Sequence, residues 1–254
     1  MPINRTADHG LIFEGDVKVR NRNIADGGIY DVGNTTSLTT ASSTESKERT
    51  SKRKGTYGQA LDSLVTQKPT EVGLKLDTFD KNNLAMALMG EAAVIAARAE
   101  TVTDTVIHIG KKGQGYKLPH ENIDPTTIKV KNKSDQNVAA EKVVFNANVG
   151  LIEIDPSADN VNDDEDIKVS YKTRTTGGFK ISAGALSRLD LEIWVDGKNR
   201  ITGEAGVLHI PHAVLAADGD IDWFGDDFAE AAFKGTAVLA EGQTSTYYFS
   251  SFSN

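Results

Sequence analysis

The sequence predicts a mainly β protein with one short helix and, inserted into its outer domain, a small β-sandwich. Three observations predict it. Apolar residues recur at every second position over 72–76 and 189–195, the period of a half-buried strand. A single segment, Asp80 to Gly90, has helical spacing with a signal at both ends. Short strand-like runs punctuated by Pro119, Pro125 and Pro156 crowd residues 101–176, the pattern of a compact sandwich.

The elements follow along the chain. Residues Thr39 to Gly58 are long and polar. By composition they are a flexible loop; the sharper alternative is a strand entering an extended hairpin that orders only against a neighbouring subunit. Val72, Leu74 and Leu76 then alternate with Glu71, Gly73, Lys75 and Asp77 as one strand. Asp80 is placed as the N-cap of the helix and Gly90 just past its end. Leu84 with Leu88 and Ala85 with Met89 give it an apolar face. Glu91 to Glu100 either continues the helix or turns outward. The inserted domain, 99–177, takes strands at Thr105–Ile109, Thr127–Val130, Val143–Phe145, Leu151–Ile154 and Ile167–Tyr171, and the outer domain is 1–98 with 178–254. Leu189, Leu191, Ile193 and Val195 alternate with Asp190, Glu192, Trp194 and Asp196. Asp196-Gly197-Lys198-Asn199 reads as the tight turn of a hairpin returning over Arg200 to Glu204. A last strand pair is expected between Phe233–Leu239 and Thr244–Phe249, across Glu241-Gly242-Gln243.

Composition narrows the function. The chain has 254 residues, 28 Lys plus Arg against 36 Asp plus Glu, a net charge of −8, and 39% hydrophobic residues. The acidity argues against a general nucleic-acid binder, which needs cations to displace counterions from phosphates. With no cysteine, disulfides, thiolate nucleophiles and Cys-based zinc sites are excluded. The longest apolar run, Ala92 to Ala97, is far short of the about 20 residues of a membrane span, so no membrane insertion is expected. The first ten residues show no apolar stretch with a cleavage site, so no secretory signal is expected there.

No catalytic constellation emerges, and neither a metal nor a cofactor is expected. Ile109 to Tyr116 is glycine-rich and basic, but Lys117-Leu118-Pro119 follows, which is no helix start of the kind a phosphate loop requires. His209 and His212 are separated by Pro211 and lack a third ligand nearby in sequence. Asp159 to Asp166 lacks the glycine and terminal glutamate of a calcium loop and reads as an acidic turn. Asp218 to Glu230 holds five aspartates, one glutamate and no Lys or Arg, and reads as a solvated loop.

The order of features resembles the major tail tube proteins of long-tailed, siphovirus-like bacteriophages. The likeness begins at Ile29-Tyr30-Asp31-Val32-Gly33-Asn34-Thr35-Thr36-Ser37-Leu38, runs through Thr39–Gly58, and continues over Thr70 to Gly90. In that family a Gly-Asn opening leads into a strand, a long hairpin, a second strand and a short helix. Leu186–Ile193 and Phe233–Leu239 are similar too, and Tyr116–Pro119 with Asn148–Ile154 resemble insertions of some members.

The resemblance implies a tail-tube-type β-barrel or sandwich flanked by the helix, in six-fold rings that stack into a hollow tube, with the inserted domain on its exterior. It implies a virion tail assembled in the bacterial cytoplasm, with a tape measure protein, a tail terminator and tail tip proteins as partners, and transient, non-specific passage of DNA. Four strands from each of six copies, about 4.8 Å apart and tilted about 45°, close a barrel roughly 50 Å across at the backbone. That is wide enough for a hydrated duplex. An acidic or neutral lining lets DNA slide where a basic one traps it; the candidate lining residues are Glu71, Asp77, Asp190 and Glu192, whose faces they share with Lys75 and Trp194, or these faces are simply outer surface. Residues 39–58 carry Lys47, Arg49, Lys52, Arg53 and Lys54 against Glu45 and Glu48, a net +3. They are expected to contact an adjacent subunit or ring, with Asp218–Glu230 as one acidic target. An exposed inserted domain crowds a sheath, which favours a non-contractile tail. The alternatives are a decoration or sheath-associated virion protein, or a carbohydrate- or calcium-binding β-sandwich using the Asp-rich loop and His209 or His212.

Overall fold

The structure is a computed structural model that describes residues 9–24 and 27–252. Its strands, in chain order, are β1 (Phe13–Asn21), β2 (Tyr30–Asp31), β3 (Thr35–Ala41), β4 (Thr44–Thr50), β5 (Ala60–Gln67) and β6 (Thr70–Leu76). Helix α1 (Lys81–Ala87) follows, then β7 (Glu91–Ile95), β8 (Thr101–Ile109), β9 (Gly115–Lys117), β10 (Lys129–Lys131), β11 (Val143–Asn146), β12 (Leu151–Ile154) and β13 (Glu165–Lys172). The chain ends through β14 (Gly178–Ser182), β15 (Leu189–Asn199), β16 (Ala205–Ala217), β17 (Ala231–Ala237) and β18 (Tyr248–Phe252). The protein is mainly β. It divides into two compact units, Met1–Ala93 with Ile181–Asn254, and Val94–Lys180.

The outer unit is built on one eight-stranded sheet, ordered β2-β1-β15-β16-β17-β6-β3, with β18 also on β16. Val17, Val19, Val72, Leu74, Leu191 and Ile193, each at alternate positions of its strand, bury one face into a single core that also takes Met86 from α1. The inserted unit holds two three-stranded sheets, β10-β13-β8 and β11-β12-β9. Ile109, Ile152, Ile154, Ile167, Val169 and Tyr171 share its own core.

Helix α1 starts as its sequence predicts, with the Asp80 carboxylate accepting from the Asn83 backbone N–H at 2.7 Å. Its end differs by one residue. Met89 adopts the left-handed conformation at φ 47°. Its N–H donates to the Met86 carbonyl, and that of Gly90 to the Ala85 carbonyl, the paired bonds of a Schellman ending. Gly90 is needed for space, since a Cβ there would lie 2.7 Å from both Ile181 and the Ser182 carbonyl. The chain then leaves as β7, which pairs with β14; it does not continue the helix.

Two expectations near the carboxyl end are corrected. Asp196-Gly197 is not a turn. β15 runs on to Asn199 and the reversal lies at Arg200–Glu204, where Gly203 takes φ 76°. Gly197 stands opposite Gly15 on β1 and Gly206 on β16. A Cβ on either Gly15 or Gly197 would run into the neighbouring strand's backbone, and a Cβ on Gly206 would meet the Phe13 and Phe249 rings at about 3 Å. The glycine row lets three strands and two aromatic rings approach. Pairing on both sides overrides the local turn preference.

The last two strands do not pair with each other. β16 is thirteen residues long. β17 covers Ala213–Ala217 and β18 covers Ala205–His209 along the same edge. Pro211, which has no N–H to offer, sits where the edge passes from one to the other. Residues 39–58 resolve as the end of one strand, the whole of a second and the turn that follows it. β3 reaches Ala41, and β4 and β5 form a separate two-stranded ribbon, exposed along its whole length.

Adding a methyl group at Gly197 is expected to cost about 3 kcal/mol. Gly197→Ala lowers the urea-unfolding midpoint accordingly, whereas Gly28→Ala, with no atom within 4 Å of its Cβ, leaves it nearly unchanged.

Candidate functional site

Three surfaces of the outer unit concentrate the polar chemistry. The first joins the segment after β2 to α1. Gly33 has φ 75°, its N–H donates to the Asp31 carboxylate at 2.7 Å, and a Cβ there would clash with Thr78. The Asn34 backbone N–H donates to the Thr78 hydroxyl at 2.9 Å and its side-chain amide to Asp77 at 2.7 Å. Fully buried Asn83 donates from Nδ2 to the carbonyls of Val32 and Thr78 at 2.8 and 2.9 Å. The short motifs 31–34 and 77–83 therefore form one hydrogen-bonded latch. Beside it lies a concavity of about 620 Å³ lined by Tyr30, Lys81, Ala85, Met86 and Leu189 among others. Burial, with the nearby Asp80 charge, pushes the Tyr30 phenol up to about 12, so it stays protonated at neutral pH.

The second surface is the face of β1, β15 and β16 opposite the core. Glu192 is buried and ion-paired with Arg20, and its other oxygen meets His209 Nε2 at 2.9 Å. His209 stacks on Trp194 with centroids 5.1 Å apart, and Arg20 lies 5.9 Å above the same indole. Asp190, also buried, accepts from Arg188 Nε at 2.9 Å and from Asn23 Nδ2 at 3.3 Å, and faces His212 Nε2 at 2.9 Å. Burial works against ionisation of Asp190, but the His212 and Asn23 hydrogen bonds and the Arg188 charge outweigh it and hold the carboxyl below its ordinary value.

This changes the expected picture of candidate lining residues. Asp190 and Glu192 are not open acidic groups but the lower layer of an ion-paired sheet face. Lys18, Arg20 and Arg188 pair with Asp196, Glu192 and Asp190, Arg22 bonds the Pro211 carbonyl, and Asp16, opposite Asp196, brings the carboxylates of this face to four against the four cations. Glu71 on β6 pairs with Lys234 at 3.8 Å, and Lys75 with Glu230 at 3.6 Å. Asp77 belongs to the latch. The histidines meet separate carboxylates, not one ligand: a register shift opposite 210–212 puts both on one face. β1 is not among the elements predicted above, although Val17 and Val19 alternating with Lys18 and Arg20 are its signal. Without that strand, the Arg20 partner of Glu192 is invisible.

The third surface is the β4–β5 ribbon. Glu45, Lys47, Glu48 and Arg49 lie on β4, and Lys52, Arg53 and Lys54 in its turn. Arg49 donates to Asp62 at 2.7 Å. The Ser51 hydroxyl, 2.8 Å from that of Thr56, ties the turn. Leu61, Leu64 and Val65 stand exposed on β5.

The remaining sequence candidates take structural roles. Residues 110–114 form a turn between β8 and β9, with the Lys111 backbone N–H and carbonyl both bonded to the Tyr116 hydroxyl. Asp159–Asp164 lies in the β12–β13 connection and Glu165-Asp166 opens β13, where His108 bridges Asp164 and Asp166 at 3.2 and 2.9 Å. Among the described residues no group of three or more His, Asp or Glu side chains is placed to hold a metal ion. No helix among them is long and apolar enough to cross a membrane.

Residues 11–254 match a protein family described as "Protein of unknown function UCP028589", and the chain belongs to that family. No curated protein matches the chain.

Two measurements test these surfaces. Asn83→Ala strands the Val32 and Thr78 carbonyls and is expected to cost about 2–3 kcal/mol in chemical denaturation. A carboxylate with a depressed folded-state pKa contributes stability that is present above its unfolded value, about 3.9, and lost as pH falls through the folded one. Asp190→Asn is therefore expected to lower stability by about 1–3 kcal/mol above pH ~5, the difference from wild type closing as the pH is taken into the acid range.

Proposed function

We propose that this protein is a structural subunit of a bacteriophage tail tube: it self-associates into hexameric rings that stack, and the lumen conducts DNA. The observation that carries the reading is the state of the sheet margins. β3 pairs only with β6, and β1 meets β2 only at Lys18 and Val19, so Phe13–Asp16 at one margin and β3 at the other have an unpartnered side among the described residues. Open margins are aggregation hazards that stand-alone domains blunt or cover, and pairing them between copies satisfies both at once. Leu11 and Ile12 stand exposed beside the free stretch of β1, and the ribbon has no place in either core.

The charge layer is compatible with that task. If β1, β15 and β16 line the channel, the duplex meets cations and carboxylates in near balance, so neither strong trapping nor strong repulsion follows. In this reading the inserted unit sits on the exterior, the tape measure, terminator and tip proteins meet the tube along its interior and at its ends, and no catalysis is involved.

Negative-stain electron microscopy of the purified protein at high concentration is expected to show rings or hollow tubes. A strictly monomeric sedimentation profile at every concentration would overturn the reading. Deletion of residues 45–54, which contribute nothing to the core, is expected to leave a folded monomer that no longer forms tubes; tubes of normal length after the deletion would refute the ribbon's role.

A further inference from the structure

We infer that the tip of the β4–β5 ribbon of one copy docks on residues 218–230 of a second copy, with aromatic side chains as the anchors; this deepens the subunit reading and rests on it. The loop carries six carboxylates and no cation, yet its apolar content is the more telling feature. Trp223 is 63% exposed, Phe224 96% and Phe228 98%. Single exposed apolar residues are ordinary, but three aromatics within six residues form a patch of the kind that marks an interaction site. The segment itself is tied at two points: the Asp222 carboxylate accepts from the Phe224 backbone N–H at 2.9 Å, and Glu230 lies 3.6 Å from Lys75 Nζ.

The ribbon tip mirrors this surface. Between Thr50 and Ala60 it has Lys52, Arg53 and Lys54 and no carboxylate. Tyr57 is exposed with Lys52 Nζ 5.9 Å from its ring, and Leu61 follows at the base of the turn. Each surface is apolar with charges of one sign, and the signs are opposite. Two tips repel each other, as do two loops, so the favoured contact joins unlike surfaces. Buried aromatics supply affinity in such contacts, while surrounding charges set encounter rate and register.

The symmetry consequence is definite. Both surfaces are exposed in the same chain, so each copy that docks its tip still offers its loop. A contact between unlike surfaces propagates, closing into a ring or extending as a stack according to its rotation.

The absence of native cysteine makes the test clean. Lys54→Cys and Phe224→Cys are placed in separate preparations, which are mixed under assembling conditions and treated with a short thiol cross-linker. The expected result is a covalent dimer in that mixture and not when Phe224→Cys is replaced by Val144→Cys, an exposed position of the inserted unit. In parallel, the triple variant Trp223→Ser, Phe224→Ser, Phe228→Ser is expected to stay folded and to need an about tenfold higher concentration to assemble, or not to assemble at all. If wild type assembles but the two mixtures cross-link equally, or the triple variant assembles at the wild-type concentration, this contact is overturned and the subunit reading stands. If wild type never assembles, both fall.

Discussion

The pairing of β15 with β16 organises the outer unit. A buried strand must find partners for its N–H and C=O groups on both sides, and these two long strands set where those partners lie. β1 adds to the far side of β15, while β17 and β18 divide the free edge of β16 between them. The register this imposes brings Gly15, Gly197 and Gly206 into one row and lays Phe13 and Phe249 across it, their centroids 5.9 Å apart. The same register stacks Arg20, Glu192 and His209 on the opposite face. Packing on one side and charge pairing on the other are thus two results of one alignment.

That alignment explains why buried carboxylates are tolerated on an outer face. Glu192 and Asp190 each have a guanidinium and an imidazole within bonding distance, and burial of a charge is costly only when such partners are missing. The face becomes a rigid, nearly balanced layer. In the proposed tube it is a suitable wall for a polyanion, because most of its fixed charges are already engaged by a neighbour and offer little to a passing phosphate.

The outer unit also keeps features that its core does not account for. The ribbon is ordered by its own cross-strand bonds and its tied turn, yet it shields no core. The 218–230 segment presents aromatic rings to water. The sheet margins stay open. The proposed contacts between copies give these features one physical explanation; they lie on the outer unit, whereas the inserted unit has its own core, at whose edge the Tyr171 hydroxyl lies 2.9 Å from His120 Nδ1.

How far the sequence reaches is visible in particular residues. Strand β6, the Asp80 cap and five of the six strands in the two sheets of the inserted unit, all but β9, were legible because their signals are local: alternation, a capping side chain and proline punctuation act over a few residues. The Asp-Gly pair at 196–197 misled for the same reason, since its turn preference is local while β1 and β16 hold it straight from both sides. Glu71, Asp77, Asp190 and Glu192 could be picked out as one-sided carboxylates, but whether each was open or covered turned on Lys234, Asn34, Arg188 and Arg20, most of them far away in the chain. Composition and periodicity act on the nearest neighbours in sequence and so decide element type. Partner choice along β16, the shift that faces both histidines to acids, and the neutralised face arise only when distant strands share hydrogen bonds, because those energies depend on register, which no single segment encodes.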